Sequence, residues 1–153
     1  MQNIVSEVEL TYKTKVKPAD RIKVVSSNDC HNCFRSVYDL NKIEFKEFFY
    51  CMYLNRANKV LGILLISEGG TSGCTVDPKQ VFQGALKLNA SALVLCHNHP
   101  SGNLTPSEQD NRITTQIKNG CKYLELMLHD HIILSPDADK YYSYQDEGNP
   151  AIY

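Results

Sequence analysis

The chain has 153 residues, with 16 basic and 17 acidic side chains, a formal charge of -1 and six cysteines. That length suits one domain able to bury about 68–70% of its unfolded surface, and the balanced charge excludes a global electrostatic signature of nucleic-acid binding. No apolar run approaches the ~20 residues of a membrane span, and the N-terminus lacks the basic-then-apolar layout of a signal peptide. No membrane association is expected, the expected location is cytoplasmic, and the cysteines then carry no implication of disulfides.

From about Glu7 to Lys17, Val8, Leu10, Tyr12, Thr14 and Val16 alternate with Glu7, Glu9, Thr11, Lys13, Lys15 and Lys17. This period predicts an edge strand with a charged outer face. The three lysines fit solvated edge protection; contact with a phosphate backbone or an acidic partner is the alternative. A short linker around Pro18-Ala19-Asp20 leads through Ile22-Lys23-Val24-Val25 to a helix capped by Ser27 or Asn28, with Cys30, Cys33, Phe34 and Val37 as its apolar stripe. Cys30-His31-Asn32-Cys33 is a Cys-x-x-Cys, which can bind zinc or do redox work. No second cysteine pair lies at ligand spacing, so the stripe is the better reading. Cys51, Cys74, Cys96 and Cys121 are scattered and read as small buried side chains.

A hairpin follows, about Glu44 to Leu54 and Lys59 to Ser67, joined by Asn55-Arg56-Ala57-Asn58. Gly69-Gly70-Thr71-Ser72-Gly73 is a loop that lacks the lysine and the helix start of a phosphate cradle. Asp77-Pro78-Lys79-Gln80 reads as a capping box opening a helix with Val81, Phe82, Ala85 and Leu88 on its apolar face. Ala92-Leu93-Val94-Leu95 is a buried strand. The next helix starts at about Pro106, with Thr105 and Glu108 forming a capping box, and ends near Asn119-Gly120. A long strand, about Tyr123 to Leu134, precedes a tail rich in Pro, Asp and Tyr. The irregular alternation predicts an α/β (mixed α+β) single domain, a central mixed sheet flanked by helices. Residues 1–40 would form an N-terminal strand and helix packing on or preceding a core of residues 41–153.

The stretch from His97 to Asp110 carries the chemistry. Side chains two apart on a strand share a face, so His97 and His99 can converge on one ion while Cys96 and Asn98 point away. On the following helix Ser107 and Asp110 are three apart, hence neighbours on one surface, and Asp110 can add an oxygen ligand. Two nitrogens and one carboxylate oxygen leave the fourth position of a tetrahedral zinc open for water, whose pKa the ion lowers to about 7. The alternative is a strand end with two surface histidines and an ordinary capped helix, against which the placed acid argues. His129-Asp130-His131 repeats the pattern, but its histidines would share a strand face with Met127 and Ile133 and no acid follows on a helix, so they are not read as ligands.

The His-x-His, the ten intervening residues and Asp110, with Ser107 three before it, resemble the JAMM signature of JAB/MPN metallopeptidase domains. The wording His97-Asn98-His99-Pro100-Ser101-Gly102, then Pro106-Ser107 and Asp110, resembles the RadC family within that group. The similarity runs from about Glu44 to Tyr144, through Glu47-Phe48-Phe49, Tyr53-Leu54-Asn55, Val81-Phe82, Ala85-Leu86, Asn89-Ala90, Asp130-His131-Ile132-Ile133 and Tyr142-Ser143. The resemblance implies a JAB/MPN-like (cytidine-deaminase-like) fold, Zn2+ on His97, His99 and Asp110, Glu47 as the acid and base, and Ser107 polarising the scissile carbonyl or stabilising the oxyanion.

The residues give their own reason for Glu47. The run from Phe45 to Leu54 is apolar on both faces, as in an interior strand, where an unpaired carboxylate is costly unless it has a partner such as a metal-held water. The alternatives are an exposed strand start paired with a lysine for Glu47, and a helix serine bonding a backbone N–H for Ser107. Glu68 sits at a turn and matches no catalytic position. Asp130-His131 falls inside the resemblance and reads as a support or substrate-side pair, with His129 as a local departure.

Two functions follow. One is a zinc-dependent hydrolase of the JAMM type, a metallopeptidase or isopeptidase acting on a peptide or isopeptide substrate. The other is a metal-binding accessory protein associated with DNA repair or mobile elements, without hydrolysis, because RadC proteins carry a DNA-repair label. Direct DNA contact is not supported by charge. Full-length relatives look to have an additional N-terminal DNA-binding-like region, whereas only about 40 residues precede the match, which lowers that expectation further. A nucleobase deaminase needs a His-x-Glu and a Pro-Cys-x-x-Cys, and neither is present.

Overall fold

Phe48 to Leu54 and Ala92 to Cys96 are apolar on both alternations, and such runs are stable only where both faces of a sheet are covered. In the computed structural model, which describes residues 5, 6, 8–70 and 74–153, they are the central strands β1 (Phe48–Leu54) and β3 (Ala92–Asn98). With β2 (Val60–Glu68), β4 (Met127–Leu134) and β5 (Tyr141–Ser143) they make one five-stranded sheet in the order β2-β1-β3-β4-β5. β3 and β4 run parallel, and every other pair is antiparallel, so the sheet is mixed as expected.

Three helices, α1 (Ser27–Arg35), α2 (Pro78–Lys87) and α3 (Glu108–Tyr123), cover the two faces. Cys30, Cys33 and Phe34 of α1 pack on Met52, Leu54, Val94, Cys96 and Ile132. On the other face Val81 and Ala85 of α2 and Ile117 and Cys121 of α3 close over Phe49, Cys51, Tyr53, Leu93 and Leu95. Gly120 is not a helix stop: α3 runs on to Tyr123, and the ring of Phe82 occupies the space a Cβ would take, 2.5 Å from its position. Glycine lets α2 and α3 approach there, and the left-handed residue that ends α3 is Glu125, φ 54°.

Several boundaries differ from expectation for local reasons. Helix α1 is capped by Ser26, whose Oγ accepts from Asp29 N while Asp29 accepts in return from Ser26 N, and it ends at Arg35, so Val37 falls beyond the helix and is exposed. At α2, Asp77 accepts from Lys79 N, and Gln80 N donates to the Asp77 carbonyl rather than its side chain bonding back, a cap without the reciprocal half. The hairpin begins at Phe48 rather than Glu44, and β4 begins at Met127 rather than Tyr123. Strand β5 lies in the tail, which carried no strand-length apolar run to signal it.

Residues 8–17 do not form the expected edge strand, and Glu7 lies outside the described residues. Val8 and Leu10 are 82% and 87% exposed, and the segment's tie to the sheet is Tyr12 Oη donating to the Leu61 carbonyl at 3.5 Å. An alternating pattern says which residues would share a face, but a strand needs a paired backbone. Backbone pairing begins only after the 3₁₀ turn at Pro18–Asp20, with the bridge between Lys23 and Lys59 and the bonds Val60 N to the Ile22 carbonyl and Val24 N to the Asn58 carbonyl, both 2.9 Å.

Candidate metal centre

His97 is the penultimate residue of β3, on the face covered by α2 and α3, and is 2% exposed. The chain then leaves the sheet: His99 N donates to the Leu134 carbonyl (3.1 Å), and Gly102, at φ 78°, donates its N–H back to the His99 carbonyl (2.9 Å). The turn brings the Asn103 carbonyl to His99 Nδ1 at 2.5 Å, so that Nδ1 carries the proton and Nε2 is left for another partner. Pro106 is not the first helical residue, and Thr105 with Glu108 is not the cap. The capping box is Ser107 with Asp110: Ser107 Oγ accepts from Asp110 N (3.1 Å) and Asp110 Oδ2 accepts from Ser107 N (2.7 Å). A serine beats a threonine two residues earlier because its reciprocal acid at the third helical position also faces the histidines.

These elements bring His97 Nε2 and His99 Nε2 to 2.9 Å from each other, with Asp110 Oδ1 3.2 Å from the former and Oδ2 3.4 Å from the latter. Burial pushes the Asp110 carboxyl up, but the two histidines and the Ser107 N–H outweigh it and hold it well below the usual carboxylate range. Burial lowers the His99 pKa, and Asp110 with the Asn103 carbonyl more than reverses this, raising it. Two ring nitrogens and a carboxylate converging in this way can share a proton or hold a metal cation between them. A tetrahedral zinc with ligand distances of about 2.0–2.2 Å sets its donors about 3.3 Å apart, so this donor set fits one. Among the described residues, this is the one group of three or more metal-type side chains that converges.

Glu47 lies one residue before β1, half-buried, rather than inside an interior strand. It does not pair with the neighbouring lysine: Lys46 pairs with Glu68 instead. Its side chain lines a cleft of about 350 Å³ together with His97, Asp110, Phe49, Val76 and Ile113. It also borders the adjoining hollow that holds His99 and Ser107. Ser107 is exposed, and its Oγ serves as the α3 cap while its own proton remains free to donate.

Asn98, the residue between the two histidines, is a site residue that the sequence reading passed over. Its fully buried amide accepts from Phe48 N (2.8 Å) and donates to the carbonyls of Ile43 (2.8 Å) and Lys46 (2.9 Å), clamping the segment that carries Glu47 to the strand that carries His97. A buried polar residue at the end of an apolar strand was the signal. His131, fully buried, sets Nε2 2.8 Å from His97 Nδ1 and Nδ1 2.6 Å from Thr114 Oγ1, while Thr114 Oγ1 donates to the Asp110 carbonyl (2.6 Å). His129 does not share that face, because a register shift in β4 after Leu128 lets it turn toward Asn58 at 3.2 Å. Asp130 faces the α1 side, accepting from Ser143 Oγ, Gln145 N and His131 N. Cys30 and Cys33 are buried free thiols in the core under α1, on the opposite face from His97.

Comparison with known proteins gives a family match over residues 24–149 to the RadC-like JAB domain. A UPF0758 protein of Flavobacterium johnsoniae is 36% identical over 147 residues, covering 95% of this chain and 62% of that protein. A UPF0758 protein of Salinibacter ruber is 42% identical over 90 residues, 59% of this chain and 39% of that one, and one of Pseudomonas fluorescens is 41% identical over 93 residues, 61% and 41%. The match thus spans 62% of the length of the first of these relatives and about two fifths of the other two.

Proposed function

This chain belongs to the RadC-like JAB domain family, and we propose that it is a zinc-dependent hydrolase that cleaves a peptide or isopeptide bond. The observation that carries this reading is the convergence of His97 Nε2, His99 Nε2 and Asp110 at the wall of a cleft that Glu47 also lines. When bound, zinc would supply a Lewis acid and lower the pKa of a water molecule into the neutral range.

The chain's own residues supply the rest. His97, His99 and Asp110 would hold the cation through three donors at the wall of the cleft. Glu47, on the segment locked by Asn98, takes the proton of the attacking water on its carboxylate and returns it to the leaving nitrogen. Ser107 Oγ accepts from the Asp110 N–H and turns its own proton toward the carbonyl oxygen as negative charge grows there. Phe49, Val76 and Ile113 give part of the cleft an apolar wall that would receive a side chain beside the scissile bond.

The test is a screen of peptide and isopeptide substrates with and without a chelator. Cleavage by the zinc-loaded protein that the chelator stops is expected. Glu47→Gln should keep the metal and lose the activity by at least about 100-fold, the low end for a general base. A metal-replete protein that cleaves neither class would favour the accessory-protein reading.

A further inference from the structure

We propose that His131 and Thr114 are positioning residues that set the tautomer of His97, placing its proton on Nδ1 and its Nε2 lone pair toward the cation; this rests on His97 being a metal ligand. The argument follows one proton at a time. The Asp110 carbonyl oxygen can only accept, and Thr114 Oγ1 lies 2.6 Å from it, so the single hydroxyl proton of Thr114 is committed there. Thr114 Oγ1 therefore meets His131 Nδ1, 2.6 Å away, as an acceptor, and Nδ1 of His131 carries a proton. His131 is fully buried, and its two ring nitrogens meet the Thr114 hydroxyl and the His97 ring with no carboxylate at either, so a second proton on the ring would be a buried charge without a counter-charge. With one proton per ring, its Nε2 is bare and accepts from His97 Nδ1 at 2.8 Å. Nε2 of His97 is then left unprotonated, facing His99 and Asp110.

The surroundings fix these rings. Tyr144 stacks on His131 with centroids 4.8 Å apart and planes 13° from parallel, and it donates its hydroxyl proton to Asn111 Oδ1 (3.0 Å). Phe49 meets His131 edge-on at 5.5 Å and stacks on His97 at 6.0 Å. The relay begins at the backbone of one ligand, Asp110, and ends at the ring of another, so correct seating of α3 against β4 is what presents His97 in its metal-binding form. His99 reaches the same tautomer by a shorter route, through the Asn103 carbonyl. Partners of this kind, donating or accepting at the nitrogen opposite the metal, typically change metal affinity about 10–100-fold when removed.

The experiment is long-range 1H–15N correlation of the imidazoles in 15N-labelled, metal-free protein, paired with zinc titration. In the wild type, His97 and His131 are expected as Nδ1–H tautomers. Thr114→Val deprives His131 Nδ1–H of its acceptor; it should move His97 toward Nε2–H and weaken zinc by about 10–100-fold, while Thr114→Ser preserves both. His131→Gln, whose amide oxygen can accept from His97 Nδ1, should hold affinity to within a few fold, and His131→Leu should lose it. A wild-type His97 in the Nε2–H form overturns the assignment, whether or not any variant folds. So does a folded Thr114→Val protein with an unchanged His97 tautomer. Nδ1–H tautomers in a protein that binds no zinc would support the relay and sink the metal site instead.

Discussion

Two His-x-His triplets lie on the neighbouring parallel strands β3 and β4, and they meet opposite fates. In the first, the paired strand ends at Asn98, one residue after His97, the chain turns out of the sheet, and His99 swings back so that both Nε2 atoms face the capped end of α3. In the second, the register shift after Leu128 separates the pair: His129 turns to Asn58 near the other face, and His131 is sealed in the core behind His97. The middle residues also differ in what they clamp. Asn98 binds the Glu47 segment, whereas Asp130 binds the chain entering the tail. Here a spacing of two brings two ring nitrogens to one point where the strand ends and an acid is delivered to the same place. Inside a strand it makes one support and one bystander.

The largest effect that would break this contrast is on metal content. His97→Ala or Asp110→Ala should abolish stoichiometric zinc binding, and His129→Ala should leave it unchanged, as read by elemental analysis after dialysis. Loss of zinc in His129→Ala would dissolve the distinction between the triplets.

Next in size is Asn98→Ala, which leaves three buried backbone groups without partners and should destabilise the fold by about 3 kcal/mol in urea denaturation. A loss under about 1 kcal/mol would mean that Asn98 is not the clamp.

The smallest concerns His31, a buried histidine outside both triplets. It stacks on Tyr141 at 4.5 Å, neither ring nitrogen has a hydrogen-bond partner, and burial lowers its pKa. Above pH about 6.5 it is neutral folded and unfolded. As pH falls below that value the unfolded chain binds the proton first, so stability is lost from there down to the depressed folded pKa. His31→Phe should remove this contribution, changing stability by at most about 1 kcal/mol at pH 8 and comparing more favourably with wild type at pH 5. Urea midpoints at the two pH values check it, and an equal difference at both would contradict it.

What the sequence made legible was set by local physics. The apolar runs of β1 and β3, the Cys30, Cys33 and Phe34 part of the α1 stripe, and the convergence of His97, His99 and Asp110 depend on periodicities of two and 3.6, which local sequence displays. What stayed hidden depended on distant partners. The segment from Val8 to Val16 has the alternation of a strand, but alternation cannot supply a neighbour. Ser107 with Asp110, rather than Thr105 with Glu108, forms the reciprocal cap, and the spacing of three that both pairs share does not say which one closes. The shift that separates His129 from His131 arises between β3 and β4, and Thr114 enters the site only because α3 packs on β4, so no local pattern marks either one.

The most direct test of the central claim is X-ray absorption at the zinc edge of the zinc-loaded protein. The account predicts a shell of light atoms at about 2.0–2.2 Å with the multiple scattering of two imidazoles and no sulfur. A sulfur shell at about 2.3 Å would place the metal at cysteines and contradict the His97, His99 and Asp110 site.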